Sequence, residues 1–238
     1  MLALLGKAWR RLRNNTRDFG IVKALHDAAY RSLNYLVGYM NVIAMEVSCA
    51  AALPALAAQY RGRFLNKDAL LPFTKDPEYQ MTEPFLDDAF ATGNECYAIS
   101  DGDILASYCW YGKVSSPISD ELAVDYSPAY VYVWKAYTHP DYRGRRLHAL
   151  GMAQALHAYR ERGYAGLLCM VEANNYRSFN SVYRLGFKNT GRIYVVRLFG
   201  RHFVYHTAAC RRYGFRVHSN RRRNESANAV TLARHVDH

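Results

Sequence analysis

Thr138-His139-Pro140-Asp141-Tyr142-Arg143-Gly144-Arg145-Arg146-Leu147 joins a run that reads as a strand to one that reads as a helix. Upstream, residues 130–138 are β-branched and aromatic, and His139-Pro140 ends the run because a residue before proline is held out of helical space. Downstream, Leu147, Leu150, Ala153, Gln154, Leu156 and His157 recur at helical spacing until Gly163 stops the helix. A strand entering a helix N-terminus through such a turn offers an anion backbone N–H groups and the positive end of a helix dipole. Arg143, Arg145 and Arg146 add charge to that offer. A diphosphate suits the turn, yet the segment has neither a GxGxxG fingerprint nor a Walker lysine followed by Ser or Thr. Taken alone, the turn reads equally well as a basic surface loop.

Working outward, Asp101-Gly102-Asp103 between apolar runs at 96–100 and 104–110 is a strong hairpin signal. Residues 166–171 read as a short apolar strand from a sheet interior, and 175–185 as a helix closed by Gly186. A second hairpin is expected at 193–199 and 202–208, around Gly200 and Arg201. Towards the N-terminus, Val42, Ile43, Met45 and Val47 suggest a strand over 39–47, residues 50–60 a helix opened or interrupted by Pro54, and 84–91 a short helix before Gly93.

A second block lies downstream of the turn: Val171-Glu172-Ala173-Asn174-Asn175, then Ser178, then Arg184-Leu185-Gly186-Phe187. Together the two blocks resemble the GNAT superfamily, whose acyl-CoA segment runs V-x-P-x-x-R-G-x-G-x-G/A and whose later motif opens a helix with Asn and closes it with Gly-Phe. The resemblance covers about residues 95–208. It implies an α/β domain with a mixed, mostly antiparallel central sheet and flanking helices, the acyl-CoA N-acyltransferase fold. It also implies transfer of an acyl group from acyl-CoA, acetyl foremost, to a primary amine, with no metal. By that resemblance the backbone of Thr138 meets the pantetheine arm. Arg143 and Gly144 belong to the phosphate turn, and the N–H groups of Arg145, Arg146, Leu147 and His148 hold the pyrophosphate. Asn175 and Ser178 face the pantetheine or the thioester.

Two departures stand out. Arg146 and His148 occupy the positions of the family's second and third motif glycines, where backbone approaches phosphate closely. Val182 occupies the place of the tyrosine that many members use to protonate the departing thiolate, and Tyr183 is one residue, about a hundred degrees of helix, away. Tyr183 is therefore a candidate general acid only if the helix is shifted; otherwise it is a partly buried core tyrosine. Glu172, at the carboxyl end of its strand, is the candidate for taking the amine proton through water, with an ion pair as its alternative reading. Tyr137 shares a strand face with Lys135 and His139, opposite Trp134, Ala136 and Thr138, and completes the catalytic candidates.

The 238 residues, half of them hydrophobic, suffice for one large core with appendages. We expect a basic amphipathic helical extension at 1–33, the acyltransferase domain at 34–216, and a basic, disordered tail at 217–238. Five dispersed cysteines without metal-type spacing indicate a reducing compartment, and an apolar start followed at once by Lys7, Arg10 and Arg11 is not a signal-peptide pattern. A cytoplasmic protein is expected, with attachment to the inner face of a membrane as the alternative. Asn41, Glu46 and Pro54 argue against a spanning helix in the apolar stretch 35–58.

The net charge of +11 suits an anionic membrane reached through residues 1–33, or an acidic acyl carrier protein as donor. A long-chain enzyme, using fatty acyl-CoA or acyl-ACP on an amino acid or lipid amine, is accordingly the second reading. A third is a GNAT domain that binds acyl-CoA without turnover. A nucleic-acid-binding protein would need a recognition helix or a basic aromatic strand surface, and neither pattern is found.

Overall fold

The computed structural model describes residues 2–52, 55–119 and 121–219. The chain begins with two helices, α1 (Leu2–Phe19) and α2 (Ile21–Val37), hinged at Gly20 with φ 86°. The strands β1 (Met40–Val47) and β2 (Tyr60–Leu65) follow, then the helices α3 (Lys67–Leu70) and α4 (Glu83–Ala91). Next come β3 (Glu95–Asp101), β4 (Ile104–Gly112), β5 (Ser115–Pro117), β6 (Leu122–Asp125) and β7 (Tyr130–Thr138). The motif region continues through α5 (Leu147–Glu161), β8 (Gly166–Glu172) and α6 (Tyr176–Arg184). The described residues end with β9 (Lys188–Leu198), β10 (Arg201–His206), α7 (Ala208–Arg212) and β11 (Arg216–Ser219).

Among the described residues, eight strands form one sheet in the order β10-β9-β1-β8-β7-β4-β3-β2, and β7 with β8 is its single parallel pair. This is the mixed, mostly antiparallel sheet with flanking helices that the resemblance implies. A small sheet, β11-β6-β5, packs beside it. Trp110, Tyr108, Tyr111 and Tyr159 are among the largest fully buried side chains. Apolar burial of that kind contributes roughly 1.5–3 kcal/mol for each large side chain.

The hairpins at 96–110 and 193–206, both motif helices and the strand at 130–138 lie where the sequence puts them, within a few residues. Three expectations need correction. The stretch 50–60 is not a helix where it is described: Ala51 N–H donates to the Leu185 carbonyl, and Tyr60 already pairs with Asp101 in the sheet. Tertiary hydrogen bonding overrides the helix propensity of an alanine-rich run there. The N-terminal extension is a hairpin of two helices, and the second runs past residue 33 to Val37. Finally, 217–219 belong to β11, paired with β6, while the rest of the expected tail lies outside the described residues.

The topology places β1 between β8 and β9, so a strand from the N-terminal end is enclosed by two from the other end of the chain. The helical hairpin before it is thereby brought over the loop between β8 and α6. Asp27, 3% exposed, fastens the two. It accepts from Arg11 at 2.8 Å, Asn15 at 2.9 Å and Arg31 at 3.2 Å within the hairpin, and from Asn174 at 2.7 Å in the loop. His26 Nδ1 with the Tyr176 hydroxyl at 2.6 Å, and Arg177 with Asp18 at 2.7 Å, complete the fastening. Among the described residues no helix is long and apolar enough to cross a membrane.

Candidate active site

The site begins as a failure of pairing. β7 and β8 pair from Tyr130 opposite Gly166 to Val133 opposite Cys169, and no further. Beyond that point each strand stays with its outer neighbour: β7 continues along β4 to Thr138 opposite Ser107, and β8 along β1 to Glu172 opposite Val42. A register shift between Trp110 and Tyr111 leaves Trp134 without a partner across β4, and such bulges bend and twist a strand locally. The sheet therefore opens into a cleft of about 570 Å³ between β7 and β8.

One end of the cleft leads to the turn between β7 and α5. His139-Pro140 turns the chain out of β7, Gly144 takes φ 81° and Arg146 φ 61°, and α5 starts at Leu147 with no side chain capping it. The N–H groups of its first turn have no intrahelical acceptor and carry the positive end of the dipole. Arg143 and Arg145 are exposed beside them. Arg143 Nε donates to the Thr138 carbonyl at 3.4 Å; Arg145 donates to the Tyr60 hydroxyl at 3.1 Å and lies 5.0 Å over the Tyr142 ring. Backbone donors, a dipole and two guanidinium groups thus meet at one open place.

Of the residues singled out in the sequence, Tyr137, Thr138, Arg143, His148 and Ser178 line the cleft. Gly144, Arg145, Arg146 and Leu147 form the turn without lining it. Glu172 and Asn175 face a second cleft, of about 820 Å³, between α1 and the β8–α6 loop. Asn175 is the N-cap of α6, its side chain accepting from Ser178 N–H at 3.2 Å. Tyr183 lines neither cleft: it is 49% exposed and stacks on Phe179, whereas Val182 is buried in the wall of the first cleft. The helix is not shifted to bring Tyr183 inward, and one residue of rotation keeps it out.

Burial perturbs Tyr137, His148 and Lys135 in the cleft. Tyr137 stacks on Tyr108 and donates to Glu78 at 3.2 Å; burial first, and the Glu78 carboxylate second, push its hydroxyl well above the ordinary tyrosine range. Desolvation pushes His148 down to about 4, so its ring is neutral at pH 7, and its Nδ1 is 3.3 Å from the Ser181 hydroxyl. Desolvation lowers Lys135 too, and its ammonium donates to the Gln80 carbonyl. Sequence reasoning missed Ser181 and Arg177. The available signal was helical spacing: Ser178, Ser181 and Val182 stand at i, i+3 and i+4 on one face of α6. Among the described residues no group of three or more His, Cys, Asp or Glu side chains is placed to hold a metal.

Comparison with known proteins agrees in family and is distant in sequence. No curated protein matches the chain. A GNAT-family structure from Novosphingobium aromaticivorans is 15% identical, with 66% of this chain and 63% of that one covered and a TM-score of 0.47. A GNAT-family acetyltransferase from Colwellia psychrerythraea is 12% identical, covering 70% and 57%, with a TM-score of 0.47. A Salmonella typhimurium structure solved with acetyl-CoA is 16% identical, covering 68% and 94%, with a TM-score of 0.43. The chain spans less than two thirds of the length of the first two. The family model for GNAT acetyltransferases matches residues 62–187, from β2 through the end of the second motif block and over half of the chain. The protein belongs to the GNAT acetyltransferase family.

Proposed function

We propose that the protein is an N-acyltransferase that moves an acyl group, acetyl first among them, from acyl-CoA to a primary amine by direct attack on the thioester. The observation that carries this reading is the parting of β7 and β8 at a cleft whose end is the uncapped, basic N-terminus of α5. The residues fit the donor: first-turn N–H groups of α5 with Arg143 and Arg145 suit the diphosphate, and the gap between the strands suits a narrow pantetheine arm. Met152, Val171 and Val182 make the inner wall apolar, which suits a thioester and excludes water.

In the reaction the amine nitrogen bonds to the thioester carbon, the C–S bond breaks, and one proton leaves nitrogen while the thiolate gains one. Alignment supplies much of the rate. Backbone N–H groups freed where β7 leaves β8 are suited to polarise the carbonyl. Glu172 is the acceptor-side carboxylate able to take the amine proton through water. Val182 offers the thiolate nothing. His148 and Ser181, hydrogen-bonded on the same wall, are suited to steady the departing thiolate by hydrogen bonding, since neutral imidazole keeps one N–H donor, and the proton the thiolate gains comes from water. Tyr137 is held by Glu78 and serves as a wall.

A second reading, long-chain N-acylation at an anionic membrane surface, is favoured by one observation. α2 buries only Ala24, Asp27 and Tyr30 and leaves Val22, Leu25, Leu33 and Leu36 exposed, beside the basic α1. Thermal shift with CoA, acetyl-CoA, palmitoyl-CoA and an acylated carrier protein tests both readings. A ligand at a hundred times its Kd adds about 2.7 kcal/mol to stability. Stabilisation by acetyl-CoA, with thiol release on adding amines, is the expected result. Stabilisation by long acyl donors alone, with salt-sensitive sedimentation on phosphatidylglycerol vesicles, would replace it with the second. No response to any donor would overturn both.

A further inference from the structure

The second cleft has charge of both signs. Lys7, Arg10, Arg11 and Arg31 line it from the helical hairpin, and Glu172, Asn174 and Arg177 from the sheet side. Arg11 and Arg31 are engaged by buried Asp27, and Arg177 by Asp18. Lys7 and Arg10 have no acidic partner among the described residues, and Glu172 has no cationic one. Five cations therefore line the cleft with one carboxylate, Glu172, and the excess positive charge lies on the α1 wall opposite that unengaged carboxylate.

Like charges gathered around a concave space repel one another, and a bound anion removes that repulsion. Guanidinium groups suit the planar oxygens of a carboxylate or phosphate, and a lone carboxylate suits an ammonium. The cleft also has a direction. Arg177 lines both clefts, and Asn175, which lines the second, caps the helix whose Ser178 lines the first. A ligand with its anion at Lys7 and Arg10 and its amine at Glu172 would have that amine on the side nearer the thioester.

We infer that this cleft is the acceptor site and that the acceptor is a primary amine carrying a carboxylate or phosphate group. Its anionic end rests on Lys7, Arg10 and the guanidinium groups beside them, and Glu172 receives its ammonium. The acceptor role rests on the acyl-transfer reading; binding of an anionic amine does not, and can be measured without a donor.

Calorimetry on the full chain without donor compares phosphoethanolamine with ethanolamine, and γ-aminobutyrate with butylamine. Charge-assisted hydrogen bonds predict that the anionic member of each pair binds about tenfold tighter or better. Lys7→Glu with Arg10→Glu, both exposed and outside the Asp27 clasp, should erase that preference without lowering the melting temperature. The milder Lys7→Gln with Arg10→Gln should reduce it. The same preference is expected in KM for thiol release from acetyl-CoA. Binding of phosphatidylethanolamine vesicles in place of phosphoethanolamine would assign the same chemistry to a lipid headgroup. Equal binding within each pair, or a preference that survives both double variants, would overturn the inference. Anion preference without any effect of acetyl-CoA would instead sink the transferase reading and leave the binding site standing.

Discussion

The two clefts that share Arg177 are made of different materials. The cleft between β7 and β8 is made by backbone: two strands stop pairing, a bulge turns one of them, and an uncapped helix faces the opening. The second cleft is made by side chains, charged ones from α1 and α2 meeting the end of β8 and the start of α6. A backbone cleft leaves its side chains free to vary, which fits the reading, drawn from the motif resemblance, of Arg146, His148 and Val182 in place of glycines and a tyrosine. A cleft of side chains is specific to this chain and depends on whatever holds its walls together.

The difference is broken most forcefully at the phosphate turn. Arg143→Glu with Arg145→Glu replaces two cations beside the α5 N-terminus by two anions, so each loses a charge-assisted hydrogen bond and gains a repulsion. Losses of about 1.5–3 kcal/mol per contact predict a fall in acetyl-CoA affinity of roughly a hundredfold or more. Both side chains are exposed, so the fold should survive. Phosphoethanolamine binding in the other cleft should be untouched. Unchanged acetyl-CoA affinity in a calorimetric titration would mean that the turn is only a basic loop.

The acceptor-side cleft should break through its clasp. Asp27 is buried, and although desolvation acts to raise its pKa, hydrogen bonds from Arg11 and Asn174 outweigh it and hold the carboxyl below its ordinary value. Removing one partner of a buried pair leaves the others uncompensated, at about 3–5 kcal/mol when fully buried; with Arg11 and Arg31 half exposed, Asp27→Asn should cost about 1–3 kcal/mol. The sign with pH follows from the lowered value. The stabilisation is complete above the unfolded carboxyl range near 4 and is lost as pH falls through the lower folded pKa. Chemical denaturation of the wild type should show this acid loss, and Asp27→Asn should lack that component. Amine binding should weaken with the clasp while acetyl-CoA binding holds. Equal losses in both would mean that the two clefts are one mechanical unit.

The same contrast sets what could be read from the sequence. β7, α5, β8 and α6 were legible because their signals are local: β-branched runs, a proline stop, helical spacing and glycine ends. The motif residues fell on them in order, and with them the fold class. The enclosure of β1 between β8 and β9 was not legible, since no local signal names a strand's neighbours across the chain. β2 was missed although its exposed Arg61 and Arg63 alternate with Gly62 and Phe64. A Cβ at Gly62 would stand 2.3 Å from Gln154 Oε1, the end of a flexible side chain that would have to shift to admit it. The second cleft depends on β1, since that strand brings the hairpin to Glu172; the helix was visible as basic and amphipathic and Glu172 as a candidate base, but no local signal placed them together.

The smallest effect lies in the turn itself. Arg146 holds φ 61° at the helix start, a left-handed conformation that costs a non-glycine residue about 1 kcal/mol and that glycine adopts freely. Part of that strain is offset because an unfolded chain with arginine has less backbone entropy to lose than one with glycine. Arg146→Gly should therefore stabilise the fold by about 0.5 kcal/mol or leave it nearly unchanged, whereas Arg146→Val, β-branched at positive φ, should destabilise it by about 1 kcal/mol or more. If arginine was kept for the donor's phosphates, Arg146→Gly will raise the melting temperature slightly and weaken acetyl-CoA binding. If the backbone alone grips the phosphates, the same variant will bind acetyl-CoA as well as the wild type or better. Even the most unusual residue of the turn would then be a matter of backbone, as the rest of that cleft is.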